Sequence, residues 1–295
     1  MDGVLLVDKP AGWTSHDAVN YIRRALGVKR VGHTGTLDPD ATGLLIVLVG
    51  KATRLARFFD DDEKEYLATM MLGTETDTQD ASGNVIEECP VPEPGLAEME
   101  EVLRRMTGEQ LQTPPMYSAV KIGGRPLYKL ARKGEEVARE PRRVFIRELE
   151  LVSFDPPEVT FRAICSKGTY IRTLCSDMGR MLGGCSHMKS LRRSAAGGYN
   201  IEGAVDISDK PAGDILAGRI IPLREMLRTM PSVVLTDAAA SRIKDGRQPV
   251  PEDIVSISGS VQGGDPIKVT DGTGSLLAVG ESGPDDSVRL TVVLV

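Results

Sequence analysis

Residues 31–50, VGHTGTLDPDATGLLIVLVG, place two aspartates, Asp38 and Asp40, in a glycine-rich bend that runs straight into an apolar strand. Gly32, Gly35 and Gly43 permit tight backbone geometry, and Pro39 fixes the chain directly after Asp38. A bend stiffened in this way can present a carboxylate rigidly. The same residues also suit plain turn caps. A phosphate-cradling loop would end in G-K-[ST], which is absent. An aspartic-protease dyad would need a second matching loop, which is absent too. The next chemical stretch is CSKGTYIRTL, residues 165–174, where Tyr170 and Arg172 alternate. On an extended backbone both point to one face, offering a guanidinium to a carboxylate and a ring to a planar base. Tyr66, flanked by charge in EKEYLAT, is a further aromatic that suits either a core or a ligand contact.

Charge narrows the partner. The 295-residue chain carries a net −6, but residues 60–109 hold 15 acidic and 3 basic side chains. Residues 121–147 hold 9 basic and 3 acidic side chains, and residues 162–193 hold 7 and 1. Two basic segments in an acidic chain supply what a polyanion needs, because phosphate contacts act within about 8–10 Å. The competing interpretation is a pair of solvated surface arms. Cys89, Cys165, Cys175 and Cys185 contain no C-x-x-C pair and read as reduced thiols of a cytosolic protein. Three scattered histidines (16, 33 and 187) do not suggest a metal site. The longest apolar run, LLIVLV, is far too short to cross a bilayer. The opening GVLLVDKP reads as a strand entering a turn, not as a signal peptide.

The elements that must position these residues follow from periodicity and punctuation. A strand at about 3–8 precedes a helix in TSHDAVNYIRRALG, capped by Thr14 or Ser15, with Ala18, Val19, Ile22 and Leu26 on one face. A strand at 43–49 leads into a short helix, KATRLARFF. The strand EKEYLATMMLG puts Tyr66, Ala68 and Met70 on one face. An amphipathic helix spans 95–108, strands lie near 144–154 and 158–165, and a helix covers about 170–182. Residues 113–143, rich in Pro, Gly and cations, read as an excursion with one helix around 126–133. After Pro231 helical patterns thin out and short strands alternate with turns such as DGTG and SGPDD, which suggests a small β-barrel or sandwich. The expected architecture is α/β of the α+β kind: a mixed, largely antiparallel sheet in residues 1–230 and a β-rich domain in 231–295.

Six ordered segments resemble the TruB-type tRNA pseudouridine synthases. They are GVLLVDKPAGWTSHDAV, GHTGTLDPDATGLL, EKEYLATMMLGTETDTQDASG, the 113–142 excursion, CSKGTYIRTLCSDMG and HMKSLRR, spread in order along about the first 230 residues. The tail is similar, more loosely, to the PUA domain, a small RNA-binding β-barrel. The resemblance implies isomerisation of uridine 55 in the T-loop of tRNA. Asp38 would be the catalytic nucleophile and Asp40 a bystander. Arg172 would pair with Asp38, lowering its pKa and keeping it ionised. Tyr66 would stack on the flipped uracil and assist proton removal. Tyr170 and Leu191 would line the pocket, His33 would hold RNA, and Lys9 and Pro10 would buttress the site. The 113–143 insertion, with Arg142 and Arg143, would clasp the RNA, and the acidic 60–109 region would face away from it. The implied enzyme takes the tRNA T-arm and needs neither cofactor nor metal; because one RNA arm needs only one active site, the expectation is a cytoplasmic monomer without an obligate protein partner or membrane. Alternatives from the same residues are a tRNA-folding chaperone and a synthase acting on another RNA.

Overall fold

The computed structural model of the protein describes residues 1–59, 63–91, 95–284 and 287–295. Asp60 to Asp62 of the acidic run, and the last two residues of the SGPDD turn, lie outside them. β1 (Gly3–Lys9) and β3 (Thr42–Val49) carry unbroken apolar runs, Val4–Val7 and Leu44–Val49, because both faces of the sheet are covered here. Leu5, Val7, Leu45, Val47 and Val49 face one core, and Val4, Leu6, Leu44, Ile46 and Leu48 face another. Between them lie α1 (Ser15–Ala25) and β2 (Val31–Thr34), which pairs with β3. Thr14 caps α1: its hydroxyl accepts from the Asp17 backbone while the Asp17 carboxylate accepts from the Thr14 amide. A 3-10 helix, Gly50–Phe59, follows β3.

The chain continues through β4 (Lys64–Leu72), the hairpin β5 (Thr74–Thr76) and β6 (Val85–Glu88), α2 (Leu96–Met106) and β7 (Gly108–Gln112). The excursion holds the small hairpin β8 (Lys121–Ile122) and β9 (Arg125–Pro126), then α3 (Leu127–Ala131). β10 (Arg142–Asp155), β11 (Glu158–Cys165), α4 (Ile171–Met181) and β12 (Ser186–Ala196) complete the framework. Short pieces follow: β13 (Tyr199–Asn200), β14 (Val205–Asp206), α5 (Gly213–Gly218) and β15 (Ile221–Pro222). Among the described residues the main sheet has 11 strands, in the order β14-β1-β3-β12-β4-β11-β10-β7, with β15 on β1, β2 on β3 and β13 on β12. The β1–β14 and β3–β12 pairs are parallel and the others antiparallel. α1, α2 and α4 pack on one face through Ile22, Met99, Leu103, Leu174 and Met178.

The tail forms its own sheet, β17-β16-β18-β19-β20, from β16 (Ser232–Leu235), β17 (Ile254–Ser258), β18 (Pro266–Thr270), β19 (Leu276–Ser282) and β20 (Val288–Val293). It also holds one short helix, α6 (Asp237–Ile243), capped by Thr236, which turn counting overlooked. Val233, Ile243, Ile267 and Val269 form the core of this domain. Leu276, Val279, Val292 and Leu294 join Leu44 and Leu48 behind the main sheet.

Two expectations are corrected here. Cys89 and Cys185 form a disulfide, with Cα atoms 5.9 Å apart, and only Cys165 and Cys175 are free and buried. The Gly73 turn brings them together, since Cys89 N–H donates to Gly73 O and Gly73 N–H donates to Cys185 O. A pairing across 96 residues leaves no local spacing to read. Tyr170 and Arg172 do not alternate on a strand. Tyr170 is the extended residue capping α4, and Arg172 sits inside the first turn of that helix.

Candidate active site

Lys9, at the end of β1, is fully buried, and its ammonium donates to the carbonyls of Pro10 (2.9 Å), Trp13 (2.6 Å) and Pro39 (2.9 Å). Burial lowers its pKa from 10.5 to about 8, against the pull of Asp40 and Asp38. On the other side of Asp38, the Ser15 hydroxyl accepts from Leu37 N–H (2.9 Å) and donates to Leu37 O (3.1 Å). The residues flanking Asp38 are therefore held by groups from β1 and α1. Gly43 completes the bend with φ +101°, where a Cβ would stand 2.3 Å from Arg193 O. Only glycine lets β3 leave the loop against β12.

Asp38 meets Arg172, with Nε 3.0 Å from Oδ2 and Nη2 3.4 Å from Oδ1. Arg172 is 4% exposed. Its remaining donors go to Thr78 O (3.0 Å) and Tyr117 O (2.9 Å), and Nη1 lies 3.4 Å from Asp80 Oδ2. The guanidinium thus joins the Asp38 bend, the β5–β6 hairpin and the root of the excursion. Sequence reasoning missed Asp80. Its local signal is a Thr-x-Asp-x-Ser turn, in which Oδ1 accepts from Thr78 Oγ1 (2.7 Å) and from the Ser82 amide (3.0 Å). The expected lowering of the Asp38 pKa is corrected as well. Burial pushes the carboxyl above its ordinary value, Arg172 and Lys9 oppose this, and Asp80 and Asp40 add to it. Asp40 itself is exposed.

Tyr66 on β4 and Leu191 on β12 lie on neighbouring strands, at 8% and 9% exposed. In the β4–β12 ladder Leu191 stands opposite Ala68 and Arg193 opposite Tyr66. Burial raises the Tyr66 phenol pKa, and Arg193 pulls it down. His33, on β2, has a buried Nδ1 without a partner; burial and then Arg193 lower its pKa. Gln112 brackets Tyr170, its side chain accepting from Tyr170 N–H (2.9 Å) and donating to Tyr170 O (3.3 Å). Pro10 enters through its carbonyl on Lys9. Arg142 and Arg143 are exposed at the start of β10. Being consecutive on a strand, they point to opposite faces. Arg142 pairs with Gln112, while Arg143 shares its face with exposed Leu111 and Phe145. In the excursion Lys121, Arg125, Lys129 and Arg132 are all exposed.

This chain is similar to known proteins along nearly its full length. The profile of the TruB family pseudouridylate synthase N-terminal domain matches residues 23–171, and that of the tRNA pseudouridylate synthase B C-terminal domain matches 172–230. It is 43% identical to tRNA pseudouridine synthase B of Syntrophus aciditrophicus, over 95% of this chain and 90% of that one. It is 47% identical to the Opitutus terrae protein of the same name, over 79% and 97%. Among solved structures it is similar to one of a Cbf5-Nop10-Gar1 complex, with a TM-score of 0.77 at 26% identity, covering 99% of this chain and 85% of the other. On these matches the chain belongs to the TruB family of pseudouridylate synthases.

Proposed function

We propose that this protein converts uridine 55, in the T-loop of tRNA, to pseudouridine, with Asp38 as the nucleophile. The observation that carries this reading is the Asp38–Arg172 pair at 3.0 Å, held in a bend whose neighbours are bound by Lys9 and Ser15. The relatives named tRNA pseudouridine synthase B support tRNA as the substrate. The reaction breaks N1–C1′, turns the uracil and joins C5 to C1′. Nothing is oxidised and no group is donated, so a positioned carboxylate and a base can carry it. Asp38 acts in its ionised form, with Arg172 holding the carboxylate in line.

Unstacking the target costs a few kcal/mol. Stacking on Tyr66, at about 1–3 kcal/mol, offsets much of it. Leu191 and Tyr170 line the base pocket, His33 holds the RNA where the base has left, and Lys9 and Pro10 buttress the bend. The 113–143 excursion clasps the T-arm through phosphates, and contacts of this kind position RNA without reading its bases. In this reading the catalytic unit is 1–230, and residues 231–295 are a PUA-like RNA-binding domain. The protein works as a monomer in the cytoplasm.

The test is incubation with unmodified tRNA and mapping of the modified uridines. Product at position 55 with the native chain, and none with Asp38→Asn despite retained tRNA binding, is the expected outcome. Turnover by Asp38→Asn removes the nucleophile assignment, and product elsewhere removes the substrate.

A further inference from the structure

Arg193 is the largest fully buried side chain among the described residues, at 1% exposed. Two of its nitrogens are fixed, with Nε donating to Leu44 O at 2.7 Å and Nη2 to Gly35 O at 2.9 Å. The third, Nη1, is buried with no hydrogen-bond partner. Buried charged donors are almost always paired, so an unpaired one calls for a reason. Glycine is required next to it: a Cβ on Gly35, where φ is +65°, would come within 3.2 Å of Nη1 and 3.3 Å of Lys64 Cε, which reaches the same region from β4.

Arg193 stands directly opposite Tyr66 across the β4–β12 ladder. Residues paired in this way share a face, with Cβ atoms roughly 4.5–5.5 Å apart. A rigid, unpaired cationic donor beside a phenol is what a developing negative charge on that oxygen would use.

We infer that Arg193 is a positioning residue for Tyr66, its Nη1 donating to the phenolic oxygen while that oxygen is anionic and takes the C5 proton of the target uracil. The inference rests on the proposed function and goes beyond it by assigning the source of basicity. Once C5 has bonded to C1′, C5 still carries its hydrogen. The phenolate takes that proton, and the C5–H electron pair restores the ring double bond. The phenol then passes the proton to N1, which has lost C1′, and becomes phenolate again. Uridine and pseudouridine balance atom for atom, with no outside donor.

The groups facing Tyr66 are Arg193 on β12, Cys165 on β11 and Asp38 in the bend. Burial is the strongest influence and raises the phenol, Cys165 and Asp38 act in the same direction, and Arg193 alone opposes them. Without Arg193, nothing else among these groups favours the phenolate.

The test measures the pH profile of turnover on a T-arm hairpin carrying deuterium at C5 of the target uridine. It compares the native chain with Arg193→Lys, each with tyrosine or 3,5-difluorotyrosine at position 66. In Arg193→Lys we expect about a tenfold loss near pH 7, on the scale of a weakened general base. Its basic limb moves to higher pH, the isotope effect grows, and the more acidic difluorotyrosine recovers rate. Equal loss at every pH, with no change in isotope effect and no recovery, leaves Arg193 a structural residue and overturns the inference. Should Arg193→Lys fail to fold, the native chain with difluorotyrosine decides: a pH profile that ignores phenol acidity overturns it. Failure of the proposed function looks different, because it shows as turnover in Asp38→Asn or product at another uridine.

Discussion

Replacing Arg172 by Met would remove a cation that two carboxylates share. The guanidinium lies 3.0 Å from Asp38 and 3.4 Å from Asp80, and two backbone carbonyls, Thr78 and Tyr117, take its other donors. Methionine keeps part of the volume and none of the donors. Removing one partner from a buried ion pair costs about 3–5 kcal/mol. At roughly 2–4 °C per kcal/mol for a domain of about 150–250 residues, melting should fall by about 6–20 °C. Asp38 also loses its main opposing charge, so its carboxyl moves still further above the ordinary value. A carboxyl with a folded-state pKa above its unfolded one binds its proton in the folded state first. The variant is therefore most stable in acid and loses stability as pH rises through the folded-state value.

The decisive assay is a double-mutant cycle with Asp80→Asn, read by thermal melting at pH 5 and pH 8 and by turnover. Asp80→Asn alone should destabilise, because it takes a partner from Arg172. In the Arg172→Met background the same change should stabilise, because it removes an uncompensated carboxylate, with coupling of about 1 kcal/mol or more. Turnover should fall by about 100-fold in Arg172→Met, as misplacement of a reacting group does, and the double variant should not recover it. Additive effects within about 0.5 kcal/mol would refute a shared guanidinium. An unchanged rate in Arg172→Met would refute its role in aiming Asp38.

Two further outcomes follow from the same geometry. Between about pH 8 and 10.5 the unfolded chain binds a proton at Lys9 that the folded protein does not. Unfolding free energy should therefore rise across that window by about 3 kcal/mol, at ~1.4 kcal/mol per pH unit. Urea melts at pH 7.5 and 10 should show this rise flattened in Lys9→Met, and parallel behaviour would refute the burial argument. Arg142 lies on the Gln112 and Tyr170 side of β10, and Arg143 does not. Arg142→Ala should lower the salt slope of tRNA binding by about 0.7–0.9, the yield of one phosphate contact, while Arg143→Ala leaves it nearly unchanged. Equal or reversed effects in filter binding would refute that assignment.

What could be read in the sequence was local. The capping pair Thr14 and Asp17 marks the start of α1, and the alternation of Tyr66, Ala68 and Met70 marks a strand with one buried face. The unbroken apolar run of β3 is legible as a strand, but not why it is unbroken. That depends on the tail, whose Leu276 and Val292 help cover the second face from more than 200 positions away. The Cys89–Cys185 pair is invisible for a similar reason, since only the fold around Gly73 makes it adjacent.

At the site, what stayed hidden is whatever depends on desolvation or on a shared partner. A guanidinium matched to a carboxylate argues for a lowered Asp38 pKa, and the guanidinium is there at 3.0 Å. The direction is nevertheless upward, because burying the carboxyl outweighs one cation that Asp80 also claims. Asp80 was illegible because its turn chemistry looks like any Asx turn. Its importance arises only when the hairpin folds back, so that Asp80 bridges Met188 on β12 and its carboxylate reaches Arg172. Three segments far apart in the chain, at 38, 78–80 and 117, thus hang on the donors of one side chain. A residue that completes several partial environments at once has no pattern of its own in the sequence. Its substitution is felt in all three segments together, which is why the cycle between Arg172 and Asp80 probes the site more sharply than either variant alone.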